Sequence, residues 1–109
     1  MEVSNIGEVV VITMGELFDA VVAPQFKNQI ADLVKESHVK FVVDMQDCRL
    51  IDSSGCGALV ASLRMVEKNK GDIKIARPSP QARDLFELTR LHRVLEMFED
   101  LDGAVRSYA

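Results

Sequence analysis

The chain has 109 residues, 48% of them apolar and 28% charged, with a formal net charge of −4. That length suits one domain over residues 1–109, with one core between two packed layers, and the composition excludes disorder. The acidic balance argues against a nucleic-acid binder, which needs a basic patch, and no apolar run nears the roughly 20 residues that span a bilayer. No charged and then apolar leader opens the chain, so a cytoplasmic protein is expected.

The charge is uneven. Residues 1–54 carry four Lys/Arg against nine Asp/Glu, and residues 55–109 carry nine against eight. Glu16, Asp19, Asp47 and Asp52 fall in the acidic half. They suggest either an acidic face for a basic partner or a solvated surface. Cys48 and Cys56 form no metal-binding or redox spacing and are read as reduced, partly buried thiols.

Residues 1–14 predict a hairpin: a short strand Glu2-Val3-Ser4, a turn at Asn5-Ile6-Gly7, and a β-branched central strand from Glu8 to Met14. Gly15 to Asp19 reads as a loop. Pro24 suits the first turn of a helix, followed by a stripe of Phe26, Ile30, Leu33, Val34 and Ser37. Lys40 to Met45 predicts a strand covered on both faces. Leu59, Leu63 and Val66 mark a helix from Ala58 to about Lys70, with small Ala58 and Ala61 allowing close packing and Gly71 at its C′ position. Asp72 to Ala76 is a strand with Ile73 and Ile75 on one face.

Ser79 then predicts an N-cap with Pro80 at the first helical position, leading a stripe of Ala82, Leu85, Phe86 and Thr89. Leu95 to Phe98 reads as an edge strand, and Asp100 to Tyr108 as a closing helix with Leu101, Ala104, Val105 and Tyr108 on one face. The order β-β-α-β-α-β-α-β-α implies an α/β fold. Its sheet is mixed, mostly parallel, of about five strands with helices packed on it.

Asp52-Ser53-Ser54-Gly55 lies where a strand hands over to a helix. There a hydroxyl of Ser53 or Ser54 can cap the helix, and a phosphate can meet free backbone N–H groups. A catalytic serine is poorly supported. Gly-x-Ser-x-Gly is absent, and nothing places His38 or His92 beside Ser53. Gly55-Cys56-Gly57 lacks the rest of a phosphate-cradling loop. Asp44, Asp47 and Asp52 form no ligand cluster in sequence. No cofactor is expected.

Val42-Val43-Asp44-Met45, followed by Leu50-Ile51-Asp52-Ser53-Ser54-Gly55-Cys56-Gly57-Ala58-Leu59, resembles the signature of the STAS domain, whose stand-alone bacterial members are anti-sigma factor antagonists. Gly15-Glu16-Leu17, Asp19-Ala20 and Ala23-Pro24-Gln25-Phe26 are similar to that family's first loop and helix. Pro78-Ser79-Pro80-Gln81-Ala82 and Leu85 to Leu91 are similar to its later helix. The family usually reads Gly-x-Leu-Asp-Ala, so Phe18 stands as an insertion, either a partner contact or a local bulge.

The resemblance implies a STAS-like fold and partner switching. Ser53 would be phosphorylated by an anti-sigma factor that is itself a serine kinase, and a serine phosphatase would reset it. Asp19, Asp52, Ser53, Ser54, Gly55 and Gly57 would meet the partner, with both glycines allowing a close backbone approach. The phosphate would block rebinding without refolding the chain. Three other readings stay open: a non-phosphorylated STAS subunit of a sensor complex or lipid-transport ATPase, an enzyme, and a small-ligand or nucleotide-binding module. Oligomeric state is not legible.

Overall fold

A computed structural model describes residues 1–109. In chain order the elements are β1 (Glu2–Ile6), β2 (Val9–Thr13), β3 (Leu17–Phe18), α1 (Val22–Lys35), β4 (Lys40–Asp44), β5 (Leu50–Ile51), α2 (Ser53–Lys68), β6 (Asp72–Ala76), α3 (Pro80–Leu88), a 3-10 turn (Leu91–Arg93), β7 (Met97–Phe98) and α4 (Leu101–Arg106). Five strands form the main sheet in the order β1-β2-β4-β6-β7. Only β1 runs antiparallel to its neighbour. β3 and β5 form a separate parallel pair. No helix is long and apolar enough to cross a membrane.

The apolar runs of β2 and β4 follow from burial on both faces. Val10, Ile12, Phe41 and Val43 join Ile73 and Ile75 under α1, α2 and α3. Val9, Val11, Val42 and Ala76 face the other way, against Ala104 of α4. The side-chain period of two thus feeds two cores from the same strands. The second core is held by the chain's last residues. Tyr108 Oη lies 2.8 Å from the carbonyl oxygens of both Phe41 and Asp72. Lys74 Nζ donates to Ser107 Oγ at 2.6 Å and sits 4.2 Å from the centre of the Tyr108 ring.

Several expectations shift. β1 continues through Ile6, and the turn falls at Gly7-Glu8, because Gly7 supplies the positive φ that a two-residue hairpin turn demands. Every residue of β1 is exposed, so no burial pattern marked its end. Ser37 leaves the α1 stripe: it is exposed and takes φ 74° just past the helix. α2 starts at Ser53, five residues before Ala58, and Ala61 faces solvent while Ala58 is buried.

Lys70, not Gly71, takes the left-handed C′ position, with φ 63°. Its N–H donates to Glu67 O, and the Gly71 N–H donates to Val66 O. Gly71 is needed for closeness instead, since a Cβ there would lie 2.6 Å from Val39 Cβ. The edge strand shortens to Met97–Phe98, and Leu91–Arg93 forms a single 3-10 turn. α4 ends at Arg106, before Tyr108. Ser79 and Pro80 behave as read, with Ser79 Oγ accepting the Ala82 N–H at 3.1 Å. Along α3, Ala82 and Phe86 are buried, but Thr89 is exposed.

Candidate functional site

The site is built on the small β3–β5 pair. Leu17 stands opposite Leu50, and Phe18 opposite Ile51. The Leu50 N–H donates to Glu16 O and the Asp52 N–H to Phe18 O, both at 3.2 Å. Each strand then delivers an aspartate to the start of a helix.

Asp52 caps α2. Its Oδ1 accepts the N–H groups of Ser54 at 2.9 Å and Gly55 at 3.1 Å, and its backbone oxygen accepts that of Cys56. Asp19 repeats the pattern ahead of α1. Its Oδ1 accepts from Val21 at 3.1 Å and Val22 at 3.2 Å, and its backbone oxygen from Ala23 at 2.8 Å. Two carboxylates thus serve neighbouring helix starts, Asp52 as the cap of α2 and Asp19 as the anchor of the turn that leads into α1. Ala20 occupies in one the place that Ser53 occupies in the other.

The expected hydroxyl cap is therefore corrected. Carboxylate oxygen is the stronger acceptor for N–H donors at a helix start, and Asp52 takes that place. Ser53 is left exposed at the first helical position, with Ser54 half-buried behind it. The expected free N–H groups are corrected in part: the Asp52 carboxylate already engages those of Ser54 and Gly55, while that of Ser53 has no partner.

Gly55 is buried and turned inward. A Cβ there would press on the Phe18 carbonyl and lie 2.7 Å from Ile51 Cγ1. Its small size lets α2 lie on β3 and β5, so the expected approach of a partner backbone at Gly55 is overturned. Gly57 is exposed with open space around it. Phe18 is fully buried, its ring 5.1 Å from that of Phe26. The inserted residue is a core residue beneath the site, neither a surface contact nor an idle bulge.

The β3–β5 pair and the turn into α1 carry exposed apolar residues, with acidic residues near the start of β3. Leu17, Leu50 and Val21 are exposed, Val21 by 70%. Glu16 and Asp47 border a shallow cleft of about 240 Å³ with Glu2 and Met14. Asp44 lies apart from them, almost fully buried, with Oδ1 accepting Arg77 Nε at 3.0 Å and Oδ2 accepting Nη2. No three His, Cys, Asp or Glu side chains converge to hold a metal. His38 lies past the far end of α1, and the His92 ring rests on the Phe86 carbonyl past α3.

Cys56 and Cys48 are both buried. Burial pushes the Cys56 thiol pKa up, and the Asp52 charge adds to it. Burial likewise raises that of Cys48, partly offset by a backbone hydrogen bond at Leu50. Both stay protonated near neutral pH and are poor nucleophiles.

Sequence reasoning missed the exposure of Leu17, Leu50 and Val21 on the β3–β5 pair and the turn into α1, and it missed Gln81. The amide of Gln81 reaches back to Ile51, accepting its N–H at 3.0 Å and donating to its carbonyl at 2.8 Å. A separation of 30 residues gave no signal for that contact.

The STAS domain family profile matches residues 1–104. The anti-sigma-B factor antagonist of Bacillus subtilis (strain 168) is 26% identical over 102 residues, covering 94% of this chain and 92% of that protein. Unphosphorylated SpoIIAA, an anti-sigma factor antagonist, has a TM-score of 0.87 at 20% identity, covering 98% of this chain and 94% of its own. Phosphorylated SpoIIAA, described as a Bacillus cell fate determinant, has a TM-score of 0.80 at 21% identity, covering 99% and 98%. At those identities the structures speak for the fold alone, and the fold is the mixed five-stranded α/β arrangement seen here. With the family profile covering all but the last few residues, the chain belongs to the STAS domain family.

Proposed function

We propose that this chain is an anti-sigma factor antagonist whose unphosphorylated form binds an anti-sigma factor and frees a sigma factor. The observation that carries the reading is the placement of Ser53: exposed, at the first position of α2, directly after the capping Asp52. Its hydroxyl is open to a partner's active site, while the carboxylate beside it, Asp52, is engaged in capping α2 and no histidine lies near. Ser53 is thus a substrate and not a catalyst.

In the switching step, the partner kinase holds ATP and Mg²⁺. Ser53 Oγ attacks the γ-phosphorus, the bond to the β,γ-bridging oxygen breaks, the hydroxyl proton passes to a base of the kinase, and ADP leaves. The product carries about −1.5 to −2 extra charges at pH 7. Asp52 already engages the Ser54 and Gly55 N–H groups that would help steady such a charge, so the phosphate stands beside a carboxylate. The strain falls on the interface more than on the fold.

Exposed Leu17, Leu50 and Val21 supply an apolar centre, and Glu16, Asp19 and Asp52 an acidic rim suited to a basic partner surface. Inserting a dianion into that contact costs roughly 2–5 kcal/mol, tens to thousands in affinity. Ser54 and Gly57 lie beside Ser53 on the same helix start and belong to the contact. A serine phosphatase would restore the binding form, in the cytoplasm.

A pull-down from native cytosol tests this. Wild type and Ser53→Ala should retain a kinase-like partner that Ser53→Asp loses. Equal recovery by all three would sink the reading.

A further inference from the structure

We propose that Gln81 is a positioning residue for Ser53: its side-chain amide acts as a one-residue third strand beside β5 and sets the place of the Asp52 cap and the Ser53 hydroxyl. The proposal rests on the reading of Ser53 as phosphoacceptor.

The backbone of β5 alternates in direction. Leu50 and Asp52 turn their N–H groups to β3, where Glu16 and Phe18 accept them. The N–H and carbonyl of Ile51 point the opposite way, where no strand follows, because β3–β5 is a two-stranded sheet. Gln81 meets both groups with one amide, at 3.0 and 2.8 Å. A planar amide suits this pair, because Oε1 accepts while Nε2 donates. Without it, a donor and an acceptor beside the core would lose their partners.

Gln81 is itself well held. It is the second residue of α3, after the Ser79 cap and Pro80. From there a short chain of contacts reaches the hydroxyl. Ile51 is buried and packs where α2 passes closest, at Gly55. Asp52 follows Ile51 and is fixed by Phe18 on the other side. Ser53 follows Asp52. A shift at Ile51 is therefore carried to the cap and to the nucleophilic oxygen within two residues. Phosphoryl transfer is sensitive to such placement, a misalignment of about 1 Å costing as much as roughly 100-fold.

Two variants separate positioning from packing. Gln81→Ala removes the amide and its volume, whereas Gln81→Met keeps most of the volume without the amide. Single-turnover phosphorylation, with ATP, Mg²⁺ and the kinase recovered by the wild-type chain, should slow about 10- to 100-fold in both variants. The kinase's binding constant should change far less. In the isolated chains, hydrogen exchange at the Ser54 and Gly55 amides should quicken in both.

Wild-type transfer and exchange rates in Gln81→Met would overturn the proposal, showing that the side chain only fills space. A loss of thermal stability with unchanged transfer would overturn it as well. The two readings fail differently. If wild type accepts no phosphate on Ser53, the phosphoacceptor reading falls and takes the proposal with it. If wild type is phosphorylated and both variants match its rate, only the role of Gln81 falls.

Discussion

Asp19 and Asp52 stand at equivalent ends of two paired strands, and each receives on Oδ1 the N–H groups two and three residues further on. Both carboxylates therefore hold the fold, and Asp52 also adjoins Ser53. Removing a cap of this kind costs about 0.5–2 kcal/mol. Asp52→Ala should lower unfolding free energy by that amount in a urea titration, and Asp52→Asn by less, because its amide oxygen still accepts. Unchanged stability in Asp52→Ala would mean that the cap carries no weight.

Modification should fall on Ser53 and leave Ser54 untouched. Ser53 is exposed at the helix start, whereas Ser54 is half-buried one position on. Intact-mass measurement after incubation with kinase and ATP should show one phosphate on wild type and none on Ser53→Ala. A phosphate on Ser53→Ala would move the assignment to Ser54.

The two glycines of the α2 start should respond in opposite directions. Gly55→Ala sets a methyl group against the Phe18 carbonyl and Ile51, and backbone cannot give way cheaply. Overpacking of this kind costs about 1–3 kcal/mol, more than the gain of up to about 1 kcal/mol from replacing glycine in a helix. Gly57→Ala meets open space and should stabilise the helix. If Gly57 belongs to the partner contact, the same variant should also bind the kinase more weakly. Thermal melts and a binding titration read the two effects separately.

Alkaline pH should loosen the second core through Tyr108. Burial raises the phenol pKa well above its ordinary value of 10.0, with the nearby Asp72 charge adding to it. The unfolded chain loses the phenolic proton near pH 10 while the folded chain keeps it. Stability from this group is thus full below pH 10 and falls as pH rises beyond it. The chain has one tyrosine, so tyrosinate absorbance reports Tyr108 alone. It should appear only together with unfolding. Ionisation near pH 10 in a chain that stays folded would refute the prediction.

The main sheet was legible because β2 and β4 are apolar on both faces, and α1 and α3 because their stripes follow the helical period. The start of α2 was misplaced because Gly55 and Gly57 resemble loop residues, and the helix gains its first turn from Asp52. β3 and β5 have two residues each, too few to show any period. They exist because Phe18 is drawn into the core and Gln81 closes the far side of Ile51. Ser53 was singled out through its motif. The pairing of Leu17 with Leu50 and the contact of Gln81 with Ile51 arise only in three dimensions.

Ser37, Lys70 and Arg90 hold left-handed backbone just beyond α1, α2 and α3, where glycine would sit at less steric cost. Each such residue costs roughly 1–2 kcal/mol relative to a relaxed backbone. None of the three lies in β3, in β5 or at the start of α2. Glycine at these three helix ends should therefore raise thermostability while leaving β3, β5 and the start of α2 chemically untouched.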